Sequence, residues 1–386
     1  MARRVAIVSE SFLPTLNGVT TSVVKLMEHL ADRGDEAMLI VPTAGSPHSY
    51  AGFPVHEVPA IAYRRFPVGL PNSQVATLIE RFRPDVLHAA APFLLGAQAI
   101  AAATRMGVPT VAIYQTDVSG YARRNRLTVA SNFAWRVVRW IHDGADLTLV
   151  PSTTAMADLE QAGVPRLARW GRGVDLDRFH PERKDSLEVR RLRENLSPDG
   201  RPILGYVGRI APEKSLERLA ELSRLDGYRL VIVGGGPALP SVRRALDGLP
   251  VAYLGELTGD ALSDAYASLD VFVHTGTEET FGQTLQEAQA SGLPVVAPRA
   301  GGPIDLVAPG VDGMLYEPER DGALAAAVGP LLGDAALRAR MGEAGRRKVA
   351  TRPWSTILDE LVAHYDGVID ARKAARLRHP VFAQGR

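Results

Sequence analysis

Two glutamates eight residues apart lie where an apolar stretch of the sequence gives way to a helix-like stretch. The segment reads Glu279-Thr-Phe-Gly-Gln-Thr-Leu-Gln-Glu287 and follows the predicted strand Val271–His274. Gly282 lets the backbone approach a ligand closely, and the N–H groups after it open a helix whose positive end suits phosphate. Carboxylates on both sides of such amides suit a nucleotide sugar, with one for the sugar hydroxyls and one for the ribose. The alternative is a pair of surface glutamates on an ordinary helix.

A second segment carries two cations after a strand that ends in glycine. It reads Gly205-Tyr-Val-Gly-Arg-Ile-Ala-Pro-Glu-Lys214, so that Arg209 and Lys214 lie five residues apart at the start of a predicted helix. The guanidinium offers a fork of donors to a diphosphate, and the lysine offers a point charge. Both would stabilise a leaving diphosphate as its bond to a sugar breaks. The alternative is a solvated loop with a lysine on a helix surface.

Two further glycine-containing turns follow predicted strands. Asn17 and Gly18 come after the first strand, and Gly18 permits close approach of the backbone at the entry to a helix. The triplet Gly234-Gly-Gly236 follows another strand, where it either lines a base pocket or forms a simple tight turn. Neither segment is a G-x-G-x-x-G fingerprint, and the sequence contains no P-loop. These turns therefore do not indicate a dinucleotide fold or a P-loop nucleotide site.

The elements that must position these residues are short apolar runs that alternate with amphipathic stretches. Continuous Val, Ile and Leu runs indicate strands buried on both faces, as in parallel sheets covered by helices. The predicted strands are Val5–Ser9, Ala37–Val41, Val86–His88, Thr110–Ile113, Leu147–Val150, Ile203–Val207, Arg229–Val233, Ala252–Leu254, Val271–His274 and Val295–Ala297. The predicted helices are Val19–Arg33, Asn72–Phe82, Leu94–Met106, Asn132–Gly144, Lys214–Leu225, Ala238–Leu246, Gly259–Ser268, Gln283–Ser291, Gly322–Leu332 and Trp354–Ile369. The predicted fold class is α/β, with two doubly wound, Rossmann-like domains that bind ligand at the carboxyl ends of their strands and face a cleft.

The chain length also indicates more than one domain. At roughly 150 residues per domain, 386 residues predict two or three domains. Residues 171–202 are polar, highly charged and contain three prolines, so we place a linker there. The predicted domains are an acceptor-binding domain over residues 1–175 and a donor-binding domain over residues 200–352. Residues 353–370 are predicted to form a helix that returns to the first domain, and residues 371–386 a basic, solvated tail.

The composition excludes several classes of protein. With 46% hydrophobic and 23% charged residues, the chain is neither disordered, collagen-like nor a coiled coil. The net charge of +1 gives no reason to expect a nucleic-acid partner, and the absence of cysteine excludes a disulfide scaffold or a thiolate zinc site. No apolar stretch reaches the ~20 residues of a membrane-spanning helix, and no signal peptide is recognisable. The predicted location is the cytoplasm, with peripheral contact at the inner face of the plasma membrane kept open.

At the residues singled out above, the chain resembles the retaining family 4 glycosyltransferases of the GT-B fold. The matching segments span nearly the whole chain and comprise residues 17–19, 173–181, 205–214, 231–235, 279–287 and 300–302. The resemblance implies that Arg209 and Lys214 bind the donor diphosphate, while Glu279 meets the donor sugar and Glu287 the ribose. The remaining donor contacts that it implies are Gly18, Gly235, Gly282, Gln283, Thr284 and Leu285. It implies no metal or other cofactor beyond the nucleotide sugar itself.

One position departs from many members of that family, which place a histidine beside the transferred sugar. Here the segment 113–121 reads Ile-Tyr-Gln-Thr-Asp-Val-Ser-Gly-Tyr, and Asp117 takes that position. A carboxylate can accept a hydrogen bond from a sugar hydroxyl and stabilise positive charge at the anomeric carbon, so Asp117 is a candidate catalytic residue. Its alternative role is a helix N-cap. In this form the chain is most similar to actinobacterial GDP-mannose-dependent α-mannosyltransferases that act on glycolipids.

The acceptor side has fewer signals. Acceptor contacts are assigned to Asn17 and to the loop residues Tyr63, Arg64 and Arg65, because the arginines suit an anionic acceptor such as a glucuronate or a phosphate. Residues 121–140 carry five arginines, no acid and two tryptophans, which is typical of interfacial membrane segments. An ordinary helix that packs its tryptophans inward is the alternative.

Metal binding is not expected. The D-x-D sequence Asp175-Leu-Asp177 lies in the linker segment already matched, and the nine histidines show no metal-ligand spacing. His88 and His274 each end a predicted strand at the predicted cleft. We expect both to be structural residues with satisfied side chains, and contact with a ligand is the alternative for each.

The predicted activity is therefore transfer of a hexose with retention, by front-face attack. The favoured donor is GDP-mannose and the favoured acceptor is a hydroxyl of a glycolipid. A UDP-sugar-dependent transferase with a small-molecule acceptor stays open, as does a nucleotide-sugar epimerase of the same architecture. A non-catalytic two-domain sugar-binding protein is the remaining alternative, but it has no need of a cationic pair at a leaving group.

Overall fold

The chain divides into two compact α/β units in the computed structural model, which describes residues 2–15, 17–63, 66–69, 73–115 and 128–378. Side chains of residues 61–63, 66–69, 128–133 and 378 fall outside that description. Unit 1 comprises Met1–Gly171 and Ser355–Arg386, and unit 2 comprises Arg172–Trp354. The predicted α/β class with two Rossmann-like domains is confirmed.

Unit 1 is built on an eight-stranded sheet and a separate two-stranded hairpin. Its strands are β1 (Arg4–Ser9), β2 (Glu36–Pro42), β3 (Ser49–Tyr50), β4 (Phe53–Val58), β5 (Ala60–Tyr63), β6 (Phe66–Gly69), β7 (Val86–Ala90), β8 (Thr110–Ile113), β9 (Leu147–Val150) and β10 (Leu167–Arg169). The large sheet has the order β10-β9-β8-β7-β1-β2-β4-β3, in which only the β3–β4 pair is antiparallel. The central strands are buried on both faces because helices cover the sheet, which explains their continuous apolar runs.

The helices of unit 1 lie close to their predicted positions. They are α1 (Gly18–Asp32), α2 (Ser73–Phe82), α3 (Leu94–Met106), α4 (Thr128–Asp143) and α5 (Thr153–Gln161). The sequence analysis did not predict α5, β10 or the strands β3 to β6. These strands are short, and β4 reads as a polar segment because only Val55 and Val58 in it are buried.

Unit 2 has a six-stranded, fully parallel sheet. Its strands are β11 (Ile203–Val207), β12 (Arg229–Val233), β13 (Val251–Gly255), β14 (Val271–Val273), β15 (Val295–Pro298) and β16 (Gly313–Tyr316). Their order is β13-β12-β11-β14-β15-β16, which is the order of a dinucleotide-binding fold although the sequence lacks that fingerprint. The order reverses between β11 and β14, where Leu204 pairs with Val271 and Gly205 with Phe272.

The helices of unit 2 include one clear correction. They are α6 (Leu187–Leu196), α7 (Leu239–Ala245), α8 (Gly259–Ala267), α9 (Gln283–Ala290), α10 (Pro303–Leu306), α11 (Ala323–Gly333) and α12 (Ala335–Val349). The helix predicted over Lys214–Leu225 is instead two 3₁₀ segments, Pro212–Lys214 and Leu216–Arg224. Ser215 separates them because its φ of 49° is left-handed, which breaks a regular helix.

The segment predicted to be a linker is an ordered part of unit 2. Pro181–Asp185 is a 3₁₀ helix, and α6 follows with Ser186 as its N-cap. The charges that suggested a solvated linker are paired instead, because Arg193 of α6 donates to Ser268 O and forms an ion pair with Asp270 at 3.0 Å. Unit 1 ends at Gly171, within four residues of the predicted end at 175, whereas unit 2 begins at Arg172, well before the predicted start at 200. The charge density therefore misidentified residues of unit 2 as a linker.

A long C-terminal helix, α13 (Trp354–Arg378), belongs with unit 1 for all but its first residue. Arg3 forms an ion pair with Asp366 at 2.7 Å, Tyr365 Oη lies 2.7 Å from His88 Nδ1, and Trp170 Nε1 donates to Ile357 O. The helix runs through residues 371–378, which were predicted to be a solvated tail, because Arg372 pairs with Asp146 and Arg376 donates to Gly107 O. In the described ranges no helix is long and apolar enough to cross a membrane.

Candidate functional site

The two segments that sequence analysis singled out leave neighbouring strands of unit 2 at the same edge of the sheet. Residues 208–214 follow β11, and residues 274–282 follow β14. Because the strand order reverses between these two strands, their loops diverge and leave a crevice at the carboxyl edge. The topology therefore brings the cationic pair and Glu279 to the position where doubly wound sheets bind ligands.

Glycines let the backbone pack tightly behind the cationic loop. Gly235 O accepts a hydrogen bond from Ile210 N at 2.7 Å, and a Cβ on Gly236 would lie 2.3 Å from Ile210 O. A Cβ on Gly235 would lie 2.4 Å from a carboxylate oxygen of Glu256. The glycine triplet is thus required where the turn after β12 lies against the loop after β11. A direct contact of Gly235 with a bound nucleotide sugar stays a prediction.

The core of the site is an ion pair between Lys214 and Glu279. Lys214 Nζ lies 2.5 Å from Glu279 Oε2, and the buried Thr275 donates its hydroxyl to Lys214 O at 2.7 Å. Burial alone would raise the pKa of Glu279, but the positive charges of Lys214 and Arg172 and the nearby His274 lower that pKa to about 2. Glu279 is therefore a fixed negative charge at any physiological pH.

The second predicted cation points to a different partner. Arg209 donates to Glu213, four residues along the same loop, and its side chain is largely exposed. Its backbone carbonyl accepts a hydrogen bond from the buried hydroxyl of Tyr206 at 3.1 Å. The loop is thus held from below while the guanidinium stays at the surface of the crevice.

Two glycines support the Glu279 segment from beneath. Gly302 N donates to Glu279 O at 2.6 Å. A Cβ on Gly301 would lie 2.4 Å from Glu279 O, and a Cβ on Gly302 would lie 2.2 Å from Phe281 O. The loop that carries Glu279 therefore lies directly on the backbone of residues 301–302, which leaves no room for a side chain at either position.

Helix α9 begins immediately after this loop. Gly282 precedes it with a φ of 104°, a left-handed conformation that favours glycine. The N–H groups of the first helical turn lack intrahelical acceptors, which leaves those of Gln283 and Thr284 at the helix N-terminus for an anion. The N–H of Leu285 donates to Gly282 O at 3.0 Å instead, and its side chain is fully buried in the core. Gln283 Nε2 also donates to Gly173 O at 3.0 Å, which ties the helix start to residues after the unit boundary.

The second glutamate has a different electrostatic environment from the first. Glu287 accepts a hydrogen bond from the hydroxyl of Tyr266 at 2.9 Å, and Tyr266 is fully buried between Phe179 and Phe272. Burial raises the pKa of Glu287 to about 7, although the hydrogen bonds from Tyr266 and Gln283 act to lower it. One carboxylate of the pair is thus permanently charged, whereas the other titrates near neutrality.

Unit 1 carries the predicted residues that follow β1. Asn17 is the N-cap of α1, where its Oδ1 accepts from Val19 N at 2.9 Å and Thr20 N at 3.0 Å. Its Nδ2 donates to Ser11 Oγ at 2.7 Å, and Gly18 is the first residue of the helix. The side chain of Asn17 is therefore engaged in shaping the helix entry. Asp117, Arg64, Arg65 and the side chain of Tyr63 lie outside the described residues.

The remaining candidates of unit 1 have structural surroundings. His88 is buried, burial lowers its pKa to about 3, and its Nδ1 is in hydrogen-bond contact with the hydroxyl of Tyr365. In α4, Trp135 packs against a small apolar cluster around Tyr114 and Val138, whereas Trp140 is 66% exposed. The inward-packing alternative thus applies to Trp135 and not to Trp140.

Three contributors to the site were not predicted from the sequence. Tyr266 lies in α8, Arg172 lies in the segment taken for a linker, and Thr275 is the second residue after β14. Only Thr275 carried a usable signal, because it is a polar residue at the carboxyl end of a strand. No group of three or more histidines, aspartates or glutamates that could hold a metal ion occurs in the described part of the chain.

Solved structures share this α/β architecture. The chain superposes on sucrose-phosphate synthase from Thermosynechococcus elongatus with a TM-score of 0.78, over 96% of this chain and 100% of that chain, at 20% sequence identity. At that identity the likeness demonstrates the fold.

Sequence relatives are considerably closer. The chain is 48% identical to a GDP-mannose-dependent alpha-mannosyltransferase of Mycolicibacterium smegmatis, over 96% of this chain and 98% of the relative. A protein of the same description from Mycobacterium tuberculosis is 45% identical over 95% of this chain and 97% of its own length. A GDP-mannose-dependent alpha-(1-6)-phosphatidylinositol monomannoside mannosyltransferase of Mycobacterium tuberculosis is 32% identical over 61% of this chain and 66% of its length.

Two family models match consecutive parts of the chain. Residues 16–178 match Glycosyltransferase Family 4, and residues 190–348 match Glycosyl transferases group 1. The first match covers unit 1 from residue 16 and extends seven residues into unit 2, to residue 178. The second lies wholly in unit 2 and contains Lys214, Glu279 and Glu287. With these matches, full-length relatives at 45–48% identity and the GT-B architecture, the chain belongs to the family 4 glycosyltransferases.

Proposed function

We propose that this glycosyltransferase moves mannose from GDP-mannose to a hydroxyl group of a glycolipid, with retention of configuration. The observation that carries the proposal is the Lys214–Glu279 ion pair at the switch point of unit 2, beside the N-terminus of α9 and the Glu287–Tyr266 pair. These groups supply positive charge for a diphosphate and two carboxylates for hydroxyls along one extended ligand. The nature of the donor is supported by the names of the relatives at 45–48% identity.

The chemistry at the donor follows from the charges. Lys214, Arg209 and the N–H groups at the start of α9 stabilise the negative charge that develops on the leaving diphosphate. Glu279 accepts hydrogen bonds from mannose hydroxyls, and Glu287 accepts them from the ribose. Because side chains and amides supply the positive charge, the reaction needs no metal ion.

The transfer step exchanges one bond at the anomeric carbon for another. The acceptor oxygen attacks from the face on which the diphosphate leaves, the bond between the anomeric carbon and the phosphate oxygen breaks, and the acceptor proton passes to that departing oxygen. Asp117 is proposed to stabilise the positive charge on the sugar during this step. Gly18 is proposed to bring its backbone to the diphosphate, with Asn17 setting the entry of α1.

A lipid-borne acceptor is supported by two observations. The relative that acts on phosphatidylinositol monomannoside is 32% identical over 61% of this chain. In addition, α4 presents the exposed Trp140 beside the exposed Arg136 and Arg139, a combination that suits the interface of an anionic membrane. We propose peripheral membrane contact through residues 121–140, and acceptor binding that involves Tyr63, Arg64 and Arg65.

One assay tests the donor, the acceptor and the need for a metal together. GDP-mannose, UDP-glucose and ADP-glucose are each incubated with vesicles that contain a glycosylated diacylglycerol, or with its soluble head group, in the presence of EDTA. We expect mannosylated lipid from GDP-mannose only, and a smaller vesicle-bound fraction for Trp140→Ala than for the wild type. The proposal would be contradicted by a product formed from UDP-glucose, by transfer to the soluble head group alone, or by isomerisation of the nucleotide sugar without acceptor.

Donor binding is expected to weaken as the pH falls below 7. The pKa of Glu287 is raised to about 7, and only its ionised form accepts hydrogen bonds from both ribose hydroxyls. Protons and donor therefore compete, and each unit of pH below 7 weakens the affinity by up to about tenfold. Isothermal titration of GDP-mannose between pH 5.5 and 8.5 measures this dependence.

Two variants connect that pH dependence to Glu287. Tyr266→Phe removes a hydrogen bond to the carboxylate, so the midpoint should move to higher pH. Glu287→Gln cannot titrate, so its weaker affinity should be flat across the same range. An unchanged midpoint in both variants would assign the titration to another group.

A further inference from the structure

His274 lies directly behind the ion pair and has no assigned role. Its side chain is buried at the end of β14, with its ring stacked on Tyr206 at 6.5 Å between centroids and 16° between planes. Its backbone carbonyl accepts a hydrogen bond from Tyr316 at 3.4 Å. Stacking on Tyr206 restrains the orientation of the imidazole, and the hydrogen bond from Tyr316 holds the backbone that carries it.

Both ring nitrogens of this histidine lack a hydrogen bond of normal geometry within the described part of the chain. The backbone of Gly276 lies near the ring and favours its protonated form, but burial dominates and lowers the pKa of His274 to about 4. The imidazole is thus neutral at physiological pH and carries one N–H donor. A buried polar group without a hydrogen bond lowers the stability of the protein. An unpaired imidazole beside the Lys214–Glu279 ion pair therefore needs an explanation. Ligand contact was the alternative to a satisfied structural histidine, and the lack of a hydrogen bond of normal geometry favours that alternative at this position.

The charged group nearest to the free imidazole edge is Glu279. His274 Nε2 lies 3.8 Å from Glu279 Oε2, which is the same oxygen that Lys214 Nζ contacts at 2.5 Å. The other groups that face this cluster are Arg172, whose charge lowers the pKa of Glu279, and the hydroxyl groups of Tyr206 and Tyr316. In the ligand-free structure, one carboxylate oxygen therefore has a lysine in contact and a histidine within an ångström of contact.

Binding of a nucleotide sugar changes the hydrogen-bonding partners available to Glu279 Oε2. Under the proposed function, on which this inference rests, Lys214 turns its charge toward the diphosphate. A partly buried carboxylate that loses its lysine would protonate unless another donor took over. A neutral imidazole supplies such a donor without adding positive charge next to the sugar.

We propose that His274 is a positioning residue that replaces Lys214 as the hydrogen-bonding partner of Glu279 Oε2 when the nucleotide sugar binds. Its Nε2–H then holds the carboxylate ionised and directed at the sugar hydroxyls while Lys214 serves the leaving diphosphate. The hydrogen bond forms only in the complex, which is consistent with site contacts that are long in unliganded enzymes and shorten on binding.

Two substitutions separate this role from simple packing. His274→Phe keeps an aromatic ring against Tyr206 and removes the N–H, whereas His274→Gln keeps an N–H near the position of Nε2 and removes the ring. The proposal predicts that His274→Phe lowers kcat by about tenfold to a hundredfold, with the affinity for GDP unchanged, and that His274→Gln retains most of kcat. The acid limb of the kcat profile should also move to higher pH in His274→Phe, because Glu279 loses a donor to its ionised form. A packing role predicts the opposite order of the two variants, and that order would overturn the proposal.

A donor-free measurement keeps this inference distinct from the proposed function. In Lys214→Ala the lysine is absent permanently, so His274 should already contact Glu279. The pKa of the Glu279 carboxyl, followed by ¹³C NMR, should stay below its ordinary value in Lys214→Ala and rise by about one unit in Lys214→Ala/His274→Phe. Equal pKa values of Glu279 in these two variants would refute the replacement of Lys214 by His274, even in a protein that used another nucleotide sugar. A clear difference with no activity on GDP-mannose would instead refute only the choice of donor.

Discussion

Lys214→Ala should reduce kcat by about a hundredfold to a thousandfold while the protein stays folded. Lys214 Nζ is the cation at the switch point, and removal of one preorganised donor for developing negative charge costs about 3–4 kcal/mol in transition-state stabilisation. The affinity for GDP-mannose should fall much less than kcat, because the additional charge on the diphosphate develops only as its bond to the sugar breaks. Steady-state kinetics with GDP-mannose and acceptor, and titration with GDP-mannose in the absence of acceptor, give the two quantities.

The matched control for this substitution is Lys373→Ala. Lys373 is an exposed lysine of α13 whose nearest acid, Asp370, lies 3.7 Å away, and such surface pairs contribute little. Its loss should leave kcat unchanged. Thermal unfolding of both variants shows whether each is folded, and a folded Lys214→Ala protein with near-normal kcat would refute the role of Lys214.

Gly302→Ala is expected to damage both stability and activity. The added Cβ would lie 2.2 Å from Phe281 O and 2.6 Å from the Phe281 Cα, so the Glu279 loop or the 301–302 segment must move. The φ of Gly302 is −57°, which an alanine adopts readily, so lack of space alone causes the effect. Such overpacking costs about 1–3 kcal/mol in the free energy of unfolding, and a shift of about 1 Å at Glu279 costs about a hundredfold in kcat.

Gly367→Ala provides the comparison, since a Cβ at that position would meet no atom within 4 Å. Gly367 lies inside α13, where alanine favours the helix over glycine by about 1 kcal/mol. In denaturant unfolding, the free energy of unfolding should therefore be lower than that of the wild type for Gly302→Ala and higher for Gly367→Ala. Wild-type stability and kcat in Gly302→Ala would show that the loop relaxes without effect on Glu279.

Most strands of both sheets could be predicted from the sequence, because a strand buried on both faces is a local apolar run. Five of the six strands of unit 2, β11 to β15, were placed within one residue of their observed ends. The failures share a cause in tertiary contacts. Residues 187–196 read as a solvated linker until Arg193 is seen to pair with Asp270, and residues 371–378 read as a tail until Arg376 is seen to cap Gly107 O.

The sequence by itself determined that two doubly wound units carry a cationic pair and two glutamates after particular strands, since those properties depend on neighbours along the chain. Only the tertiary structure decided which groups those charges meet. Strand order places β11 beside β14, and this adjacency brings Lys214 and His274 to Glu279, while α8 brings Tyr266 to Glu287. The two glutamates are the same residue type in one short motif, yet one has a pKa near 2 and the other near 7. The difference arises because a carboxyl group responds to the burial and charge around it, and both are supplied by residues distant in sequence.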